Sequence, residues 1–381
     1  MPISRLVLQN WRNFKSLDVS LQDRVFIIGP NASGKSNLLD AIRFLRDVAT
    51  PGGGLQRAVE QRGGLSKIRC LLARKEPVVC LRADLSEGPG KTRFIYEIGI
   101  TQEVRGRRQP KLKYEKVWKD GKVVLERPDA ADKKDDLRLT QTHLEQINAN
   151  AEFREIARFF ESVRYLHMVP QLVRHPEAFQ GPGIPQDPYG RNFLEMVGKT
   201  PEKTQKARLG RIEKALRQAV PNLKKLTYIK DETGIPHLEA IYEHWRPNAG
   251  RQREDQFSDG TLRLMGLFWS LLDGSAPLLL EEPELSLHGE IVSKLSGLLA
   301  LIQRKSGRQM FVSTHSWQLL SDEGIGGEEV VLLTPGNDGT TATVASSIDD
   351  VRQLLDAGLS VADAVLPRTA PSTLKELNLE P

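Results

Sequence analysis

The chain opens with three short runs of apolar or alternating residues, which predict strands at residues 3–8, 17–21 and 24–28. The third run is almost continuously apolar, as expected of a buried strand, and it leads directly into a glycine-containing loop. Apolar residues then recur at helical spacing over residues 38–48, which predicts an amphipathic helix. The chain therefore begins with a strand, loop and helix unit typical of α/β proteins.

Four β-rich runs follow, at residues 78–85, 92–101, 112–119 and 122–125. They predict an antiparallel subdomain over about residues 65–127, in which Asp120 and Gly121 form a hairpin turn. Helical spacing over residues 137–162 predicts a helix, and a strand is expected at 163–168. The proline- and glycine-rich stretch at 170–188 predicts a loop or hinge.

Helices and strands alternate in the second half of the chain. Helices are predicted at residues 203–220, 260–273, 287–305 and 348–357. Strands are predicted at residues 226–230, 237–244, 277–280 and 309–313, with two more within 329–344. This order predicts an α/β fold with a mixed sheet core, an antiparallel β subdomain and a helical lobe. No heptad pattern persists, so no long coiled-coil arm is expected.

Composition narrows the class of protein further. The 381 residues are 39% hydrophobic and 27% charged, which is typical of a globular protein and excludes a disordered chain. No apolar stretch reaches the roughly 20 residues of a membrane-spanning helix, so we expect a cytoplasmic protein without a membrane partner. The two cysteines, Cys70 and Cys80, lack the spacing of a zinc site or a disulfide framework. The net charge of +5 permits binding to a polyanion without requiring it.

The loop after the third strand has the pattern GxxxxGKS, at residues 29–36. Backbone N–H groups in such a loop point inward and the following helix adds partial positive charge at its start, so the loop binds phosphates. Lys35 is expected to reach the terminal phosphates of a nucleotide, and the Ser36 hydroxyl to bind Mg²⁺. The predicted nucleotide-binding residues are Gly29, Pro30, Asn31, Ala32, Ser33, Gly34, Lys35, Ser36 and Asn37.

Three later features of the sequence are informative together, although no single one of them would identify the class of protein. Ser258, Asp259 and Gly260 precede an apolar helix, which taken alone fits an ordinary helix start. Further on, an apolar strand ends in Glu281 and Glu282, an arrangement that places one carboxylate at a metal ion and the next beside an attacking water. His315 lies just past another buried strand, where open α/β sheets place their ligand site.

Together and in this order, the motifs resemble those of ABC-type ATPases of the SMC/RecF-like branch, and the resemblance covers most of the chain. It identifies residues 29–36 as Walker A, 257–261 as the signature, 278–282 as Walker B and 285–288 as the D-loop region, with His315 as the switch histidine. The resemblance implies a P-loop fold of the SMC-head type that binds ATP and Mg²⁺ and hydrolyses ATP. Glu282 is then the general base, His315 contacts the γ-phosphate, and Ser36 and Glu281 bind the metal.

Some positions depart from the family pattern or remain open. Glu281 stands where many relatives have aspartate, and we expect Mg²⁺ binding to persist. Asp259 stands where many relatives have glycine, and we expect it to point away from the phosphate and cap its own helix. The metal-contacting glutamine of the family is assigned to Gln171, with Gln141 as the competitor. Arg12 resembles the family's amino-terminal arginine near the nucleotide, but a surface arginine in a turn is an equal alternative.

The resemblance also implies an ATP-bound homodimer in which Ser258, Asp259 and Gly260 of one subunit complete the site of the other. The leading hypothesis is a DNA-associated ATPase that acts in repair or in defence against foreign DNA, with a separate effector protein such as a nuclease. The alternatives are an ATP-dependent switch that holds a toxin or effector, and an ATPase subunit of a transporter. Basic residues at 104–119 and 199–217 are candidate DNA contacts or ordinary solvated faces. No aromatic stacking platform stands out.

The motif order predicts how the chain is organised. Residues 1–381 are expected to form a single ATPase domain, with a Walker A lobe at 1–170 that includes the β-rich subdomain. A hinge, helical and hairpin insert at 171–257 follows, and then a lobe at 258–345 with the signature, Walker B and switch histidine. A helix and tail complete the chain at 346–381.

Overall fold

The computed structural model describes residues 1–73, 76–88, 90–103, 108–176, 187–246 and 250–370. The strands are β1 Ile3–Trp11, β2 Phe14–Ser20, β3 Arg24–Ile28, β4 Val79–Gly88, β5 Lys91–Gln102, β6 Pro110–Lys119, β7 Lys122–Arg127, β8 Arg164–Leu166, β9 Leu223–Lys230, β10 Pro236–Tyr242, β11 Arg251–Arg253, β12 Leu278–Glu281, β13 Met310–Ser313, β14 Val330–Thr334 and β15 Thr341–Val344. The α-helices are α1 Lys35–Ala49, α2 Gly54–Glu60, α3 Leu65–Ile68, α4 Ala130–Lys134, α5 Arg154–Ser162, α6 Pro170–Arg174, α7 Phe193–Lys199, α8 Glu202–Ala219, α9 Asp259–Leu272, α10 Gly289–Ser306, α11 Trp317–Leu320, α12 Asp349–Asp356 and α13 Val361–Val365.

The strands form three sheets. The first is antiparallel, in the order β2-β1-β4-β5-β6-β7, so it includes two strands that come before the expected limits of the β-rich subdomain. The second has the order β15-β14-β3-β13-β12-β8, and its neighbours are parallel except for β14 and β15. The third is the small antiparallel sheet β11-β10-β9. This is the mixed α/β architecture that the pattern predicts.

The central strand β3 contributes to two hydrophobic cores. Val25 and Ile27 belong to the core that lies between the two large sheets, which also contains the apolar face of α1. Phe26 and Ile28 point to the opposite face and pack with residues of α10 and α13. Side chains alternate across a strand, so the almost continuous apolar run reflects a strand that is covered on both faces.

The predicted helix at 137–162 is wrong over its first half. The segment contains two short 3₁₀ turns, and α5 begins only at Arg154. The buried carboxylate of Glu115 accepts the backbone N–H groups of His143 and Leu144, at 2.7 and 3.1 Å, and Asn150 donates to the Leu144 carbonyl at 2.9 Å. These bonds satisfy backbone groups that a helix would have paired, so the turns are stable without it.

Smaller differences concern short elements. The stretch predicted as a loop at 170–188 contains α6, while its residues 177–186 lie outside the described part of the chain. Helix α7 and strand β11 were not predicted, because both are too short for a periodic signal. Within the described residues, the longest helices, α8 and α10, have 18 residues each. No described helix combines the length and hydropathy that a membrane span requires.

Candidate nucleotide-binding site

The phosphate loop, the two Walker B carboxylates and His315 follow three neighbouring parallel strands. Strand β13 lies between β3 and β12, and Ser313 is in register with Ile27 on one side and Glu281 on the other. The phosphate loop, the paired carboxylates and the switch histidine therefore lie at the same edge of the sheet. This carboxyl edge is where open α/β sheets bind their ligands.

The phosphate loop connects β3 to α1 in a strained conformation. Ala32 and Gly34 have φ values of 62° and 99°, in the left-handed region. The Lys35 amino group donates to the carbonyls of Gly29 and Pro30, at 3.1 and 3.2 Å, so it folds back over the loop. Burial lowers the pKa of Lys35, and the carboxylates of Glu282 and Glu281 oppose that shift.

The connection between β1 and β2 holds the phosphate loop from outside. The Asn13 amide donates to the Ser33 carbonyl and to the Thr340 hydroxyl, both at 2.7 Å, and its oxygen accepts from Asn37 at 2.8 Å. Asn13 packs so closely on Gly34 that any side chain there would collide with it. The sequence analysis did not single out Asn13, although it directly follows Arg12.

Arg12 faces helix α1 and a cavity beside the phosphate loop. Its guanidinium donates to the Asp40 carboxylate at 2.7 Å, and Arg62 approaches the same carboxylate at 2.8 Å. Burial tends to raise the pKa of Asp40, but the two guanidinium groups hold it below its ordinary value. The cavity has a volume of about 680 Å³, and Arg12, Asn13 and Asn37 line it. Arg12 therefore lies in the turn between β1 and β2 and is held there by an ion pair.

The first Walker B carboxylate, Glu281, touches the phosphate loop directly. It accepts a hydrogen bond from the Ser36 hydroxyl and another from the Tyr165 hydroxyl. Burial and the neighbouring Glu281 carboxylate raise the pKa of Tyr165, which keeps its hydroxyl a donor. The Arg43 guanidinium lies 4.6 Å from the centre of the tyrosine ring. Tyr165 was missed, because its contact depends on β8 pairing with β12, which sequence periodicity does not reveal.

Glu282 and His315 face each other across the gap between β12 and β13. The Glu282 carboxylate lies 3.4 Å from His315 Nε2. Glu282 has a φ of 44°, which is uncommon for a residue other than glycine, and its N–H donates to the Ser313 carbonyl at 3.0 Å. Burial and the charge of Lys35 lower the pKa of His315, so its imidazole is neutral at pH 7. Backbone strain of this kind is typical of functional positions.

A third carboxylate, Glu284, fixes the loop that carries the switch histidine. It accepts from the Thr314 hydroxyl at 2.5 Å and from the His315 N–H at 3.2 Å. Burial raises the pKa of Glu284, and its second oxygen is buried without a hydrogen-bond partner among the described residues. Glu284 lies two residues after Glu282 in the sequence, but no sequence pattern predicted its contact with the loop.

The signature segment starts helix α9. The Ser258 hydroxyl accepts from the Thr261 N–H at 3.2 Å and caps the helix, so the expectation that Asp259 caps it is wrong. The Asp259 carboxylate instead pairs with Arg174 at 2.5 Å. A methyl group on Gly260 would lie 2.8 Å from the Ser286 carbonyl, which shows that the helix start packs tightly on the segment after Walker B.

The two glutamine candidates lie in different parts of the structure. Gln171 is in α6, shortly after β8, and its amide approaches the Asp259 carboxylate at 3.5 Å. Gln141 contacts Gln146 at 3.0 Å through its side chain and Arg127 at 2.8 Å through its carbonyl, next to the antiparallel sheet. Of the two, only Gln171 contacts another predicted site residue.

The donor set fits Mg²⁺ bound together with a nucleotide. Ser36 and Glu281 offer a hydroxyl and a carboxylate oxygen that already touch each other, and Mg²⁺ prefers oxygen ligands. Within the described residues, no cluster of three or more His, Cys, Asp or Glu side chains could hold a metal by itself. One or two protein ligands are what a magnesium ion needs when phosphates and water supply the others.

Comparisons with known proteins give a family match over most of the chain. Residues 24–322 match the family described as "AAA domain, putative AbiEii toxin, Type IV TA system". A 46-residue segment is 52% identical to the DNA replication and repair protein RecF of Actinobacillus pleuropneumoniae. This segment covers 12% of this chain and 13% of that protein.

Two solved structures share the fold. An SMC head bound to the C-terminal winged-helix domain of ScpA aligns with a TM-score of 0.54 and 15% identity over 90% of this chain and 98% of that one. An SMC head with an extended coiled coil, bound to a ScpA domain derived from Pyrococcus furiosus, aligns with a TM-score of 0.51 and 13% identity. The alignment covers 93% of this chain and 99% of that one. Since the AAA-domain family model covers more than half of the sequence, the chain belongs to that family, and its fold is that of the SMC heads.

Proposed function

We propose that this protein hydrolyses ATP at the carboxyl edge of the parallel sheet. The observation that carries the proposal is the convergence of four charged or titratable groups: Lys35, Glu281, Glu282 and His315 come from three adjacent strand ends. Lys35 binds the terminal phosphates. Its amino group then exchanges its hydrogen bonds to the Gly29 and Pro30 carbonyls for bonds to phosphate oxygens. The base and ribose occupy the cavity beside Arg12 and Asn13.

Glu282 is the residue proposed to orient and deprotonate the attacking water. Its carboxylate is half-buried, and the only cation-forming group at salt-bridge distance within the described residues is His315. A general base in such a place contributes about 10²–10⁴-fold to the rate. His315, neutral at pH 7, donates a hydrogen bond to the γ-phosphate, while Glu284 and Thr314 hold its loop in place.

Mg²⁺, when bound, neutralises phosphate charge and polarises the bond that breaks. Ser36 and Glu281 are the residues proposed to hold it, with Gln171 as a third contact. Tyr165 orients Glu281 through its hydroxyl. This contact restricts the glutamate side chain, which is one methylene longer than the aspartate of many relatives.

The active form is proposed to be an ATP-bound homodimer, in which Ser258, Asp259 and Gly260 of one subunit contact the nucleotide held by the other. Within one chain, the free N–H groups at the start of α9 and the Ser258 hydroxyl form an anion-binding helix start. Arg174 neutralises Asp259, so the carboxylate does not repel the incoming phosphate.

DNA is the proposed partner, in repair or in defence against foreign DNA, with a separate effector protein such as a nuclease. Support comes from the segment shared with RecF, whose name states a role in DNA replication and repair, and from the SMC-head fold. The SMC heads were solved with a second protein, ScpA, bound to them, which supports an effector that docks on this head.

A second candidate function is an ATP-dependent switch that holds a toxin or another effector. The family description, which names a toxin–antitoxin system, favours it. The two functions differ in what accelerates ATP hydrolysis. A DNA-acting enzyme is stimulated by DNA, whereas a switch turns over slowly until its protein partner changes.

The test is the ATP hydrolysis rate of the purified protein with and without duplex DNA at about 100 mM salt, where phosphate contacts still contribute strongly. Lys35→Ala is the blank, because it removes the phosphate-binding amine. Stimulation by DNA supports the proposal, and a rate that DNA does not change favours the switch. No ATP-dependent signal above the blank would contradict hydrolysis at this site.

A further inference from the structure

The most exposed tryptophan that the structure describes lies at the end of the small sheet. Trp245 follows strand β10 and is 79% exposed. Its indole stacks on the His244 ring, with centroids 5.7 Å apart and planes inclined by 23°, and the Arg246 guanidinium lies 4.4 Å from its ring centre. A single exposed apolar side chain is common, so its surroundings decide what it means.

The segment that precedes Trp245 contacts the residues that follow helix α8. The Glu243 N–H donates to the Asn222 carbonyl at 2.7 Å, and the Glu243 carboxylate lies 3.1 Å from Lys224. Arg217, near the end of α8, donates to the Lys224 carbonyl. Contacts through Lys224 therefore link the end of α8 to the segment that carries Trp245.

Helix α8 presents cations on the side that faces away from the core. Leu209, Ile212 and Leu216 are buried on its inner side. The basic residues at exposed positions are Lys203, Lys206, Arg211, Lys214 and Arg217. Lys206 and Arg217 are paired with glutamates of the same helix, whereas Lys203, Arg211 and Lys214 have no carboxylate at salt-bridge distance in the described part of the chain.

The other basic segment, at residues 104–119, has two described lysines that are paired with carboxylates. Lys111 contacts Glu103 and Asp136 at 2.9 and 2.7 Å, and Lys116 contacts Glu126 at 2.8 Å. Residues 104–107, with Arg105 and Arg107, lie outside the described residues. Arg108, Lys113 and Lys119 have no carboxylate at salt-bridge distance in the described part of the chain, as many cations as on α8, so charge alone does not separate the two segments. The exposed tryptophan linked to α8 does.

We propose that Trp245 and the outer side of α8 form a surface that binds single-stranded DNA. The lysines and arginines pair with the phosphates of one strand, while the indole, together with His244 and Arg246, stacks on an unpaired base. This inference rests on the proposed DNA function and adds the form of DNA and the residues that bind it.

The chemistry of the surface favours a nucleic-acid strand over a protein or a membrane. A protein interface has a central apolar patch from which charged residues are depleted. Here Trp245 is the one large apolar side chain among the exposed residues of 243–246 and α8, and the Arg246 guanidinium lies 4.4 Å from its ring centre. An indole beside cations matches the alternation of flat bases and phosphates along a single strand.

The experiment measures binding of the full chain to fluorescent DNA of about 20 nucleotides, longer than the usual site of a single-strand-binding module. The probes are a single strand, a blunt duplex and a duplex with a single-stranded overhang. Trp245→Ala is expected to weaken binding of the single strand and the overhang by about five-fold or more, and Trp245→Phe to retain most of it. Binding of the blunt duplex should change by less than about two-fold, because its bases are already stacked.

Charge is tested separately by Lys214→Glu, with Lys305→Glu at the end of α10 as the matched control. Lys214→Glu should weaken binding and reduce the slope of log affinity against log salt concentration, whereas Lys305→Glu should leave both unchanged. A Trp245→Ala protein that binds the single strand like the wild type overturns this surface. So does a wild type that binds the single strand no better than the blunt duplex.

Failure of the broader function gives a different result. A wild type that hydrolyses ATP but binds none of the three probes overturns the DNA role itself. If Trp245→Ala instead weakens binding to vesicles with anionic lipid and not to DNA, the surface is a membrane contact and the inference is wrong.

Discussion

Asn13 provides the sharpest test of how the phosphate loop is held. Its side chain makes three hydrogen bonds, to Ser33, Thr340 and Asn37, at 2.7, 2.7 and 2.8 Å. Asn13→Ala removes all three, each worth about 0.5–1.5 kcal/mol net, so the loop loses about 3 kcal/mol of support in its binding conformation. If a third to two thirds of this free energy is lost from ATP binding, the affinity for ATP falls by about 5–30-fold.

The assay is a titration of the purified protein with a fluorescent ATP analogue in the presence of Mg²⁺. Asn37→Ala, which removes one of the three bonds to Asn13, should give a smaller loss. Asn192→Ala is the matched control, since Asn192 immediately precedes helix α7 and its side chain makes no capping hydrogen bond. A thermal unfolding curve for each variant separates loop support from global stability.

The reasoning would be refuted if Asn13→Ala bound the analogue as tightly as the wild type. It would also be refuted if affinity fell only in proportion to a large loss of global stability, since the contacts then support the fold and not the loop. Asn13→Asp should be worse than alanine, because it places a carboxylate oxygen against the Ser33 carbonyl.

Three further predictions concern other parts of the molecule. Glu282→Gln should retain ATP and accumulate as an ATP-bound dimer, and an ATP-bound variant that stays monomeric in gel filtration contradicts the dimer. Arg174→Ala should lower kcat by exposing the phosphate to the Asp259 charge, and adding Asp259→Ala should recover at least about 0.5 kcal/mol of that loss in a double-mutant cycle. The buried Arg127 lies 2.9 Å from Asp132 and holds the pKa of this aspartate low through hydrogen bonding, so the stabilisation exists above the unfolded-state pKa and is lost as pH falls. Asp132→Asn should therefore destabilise the protein at pH 7 and much less at about pH 2 in urea unfolding, and an equal loss at both values contradicts it.

The motifs were predictable because each depends on residues that are close in sequence. A phosphate loop is defined by its own backbone and by the strand and helix on either side, so the positions of Lys35 and Ser36 follow from local pattern. The order of the apolar runs likewise predicts which strand ends carry Glu281 and His315.

The supporting contacts were not predictable, because they join residues far apart in the chain. Tyr165 reaches Glu281, and Asn13 reaches Thr340, only after distant strands have paired. The failed helix at 137–162 has the same cause: the buried Glu115 carboxylate, from another strand, captures the backbone groups that periodicity assigns to a helix. Local pattern does not report such competition.

The position of β3 has a consequence for how the protein is made. Both neighbours of this strand, β13 and β14, are translated long after it, although the phosphate loop follows it immediately. Strand β3 cannot pair with either neighbour before that neighbour is translated. Even then, bringing together strands so far apart in sequence is slow and entropically costly. A ribosome-bound chain that has not yet reached β13 thus carries the Walker A sequence on an unpaired strand, and ATP binding becomes possible only late in synthesis.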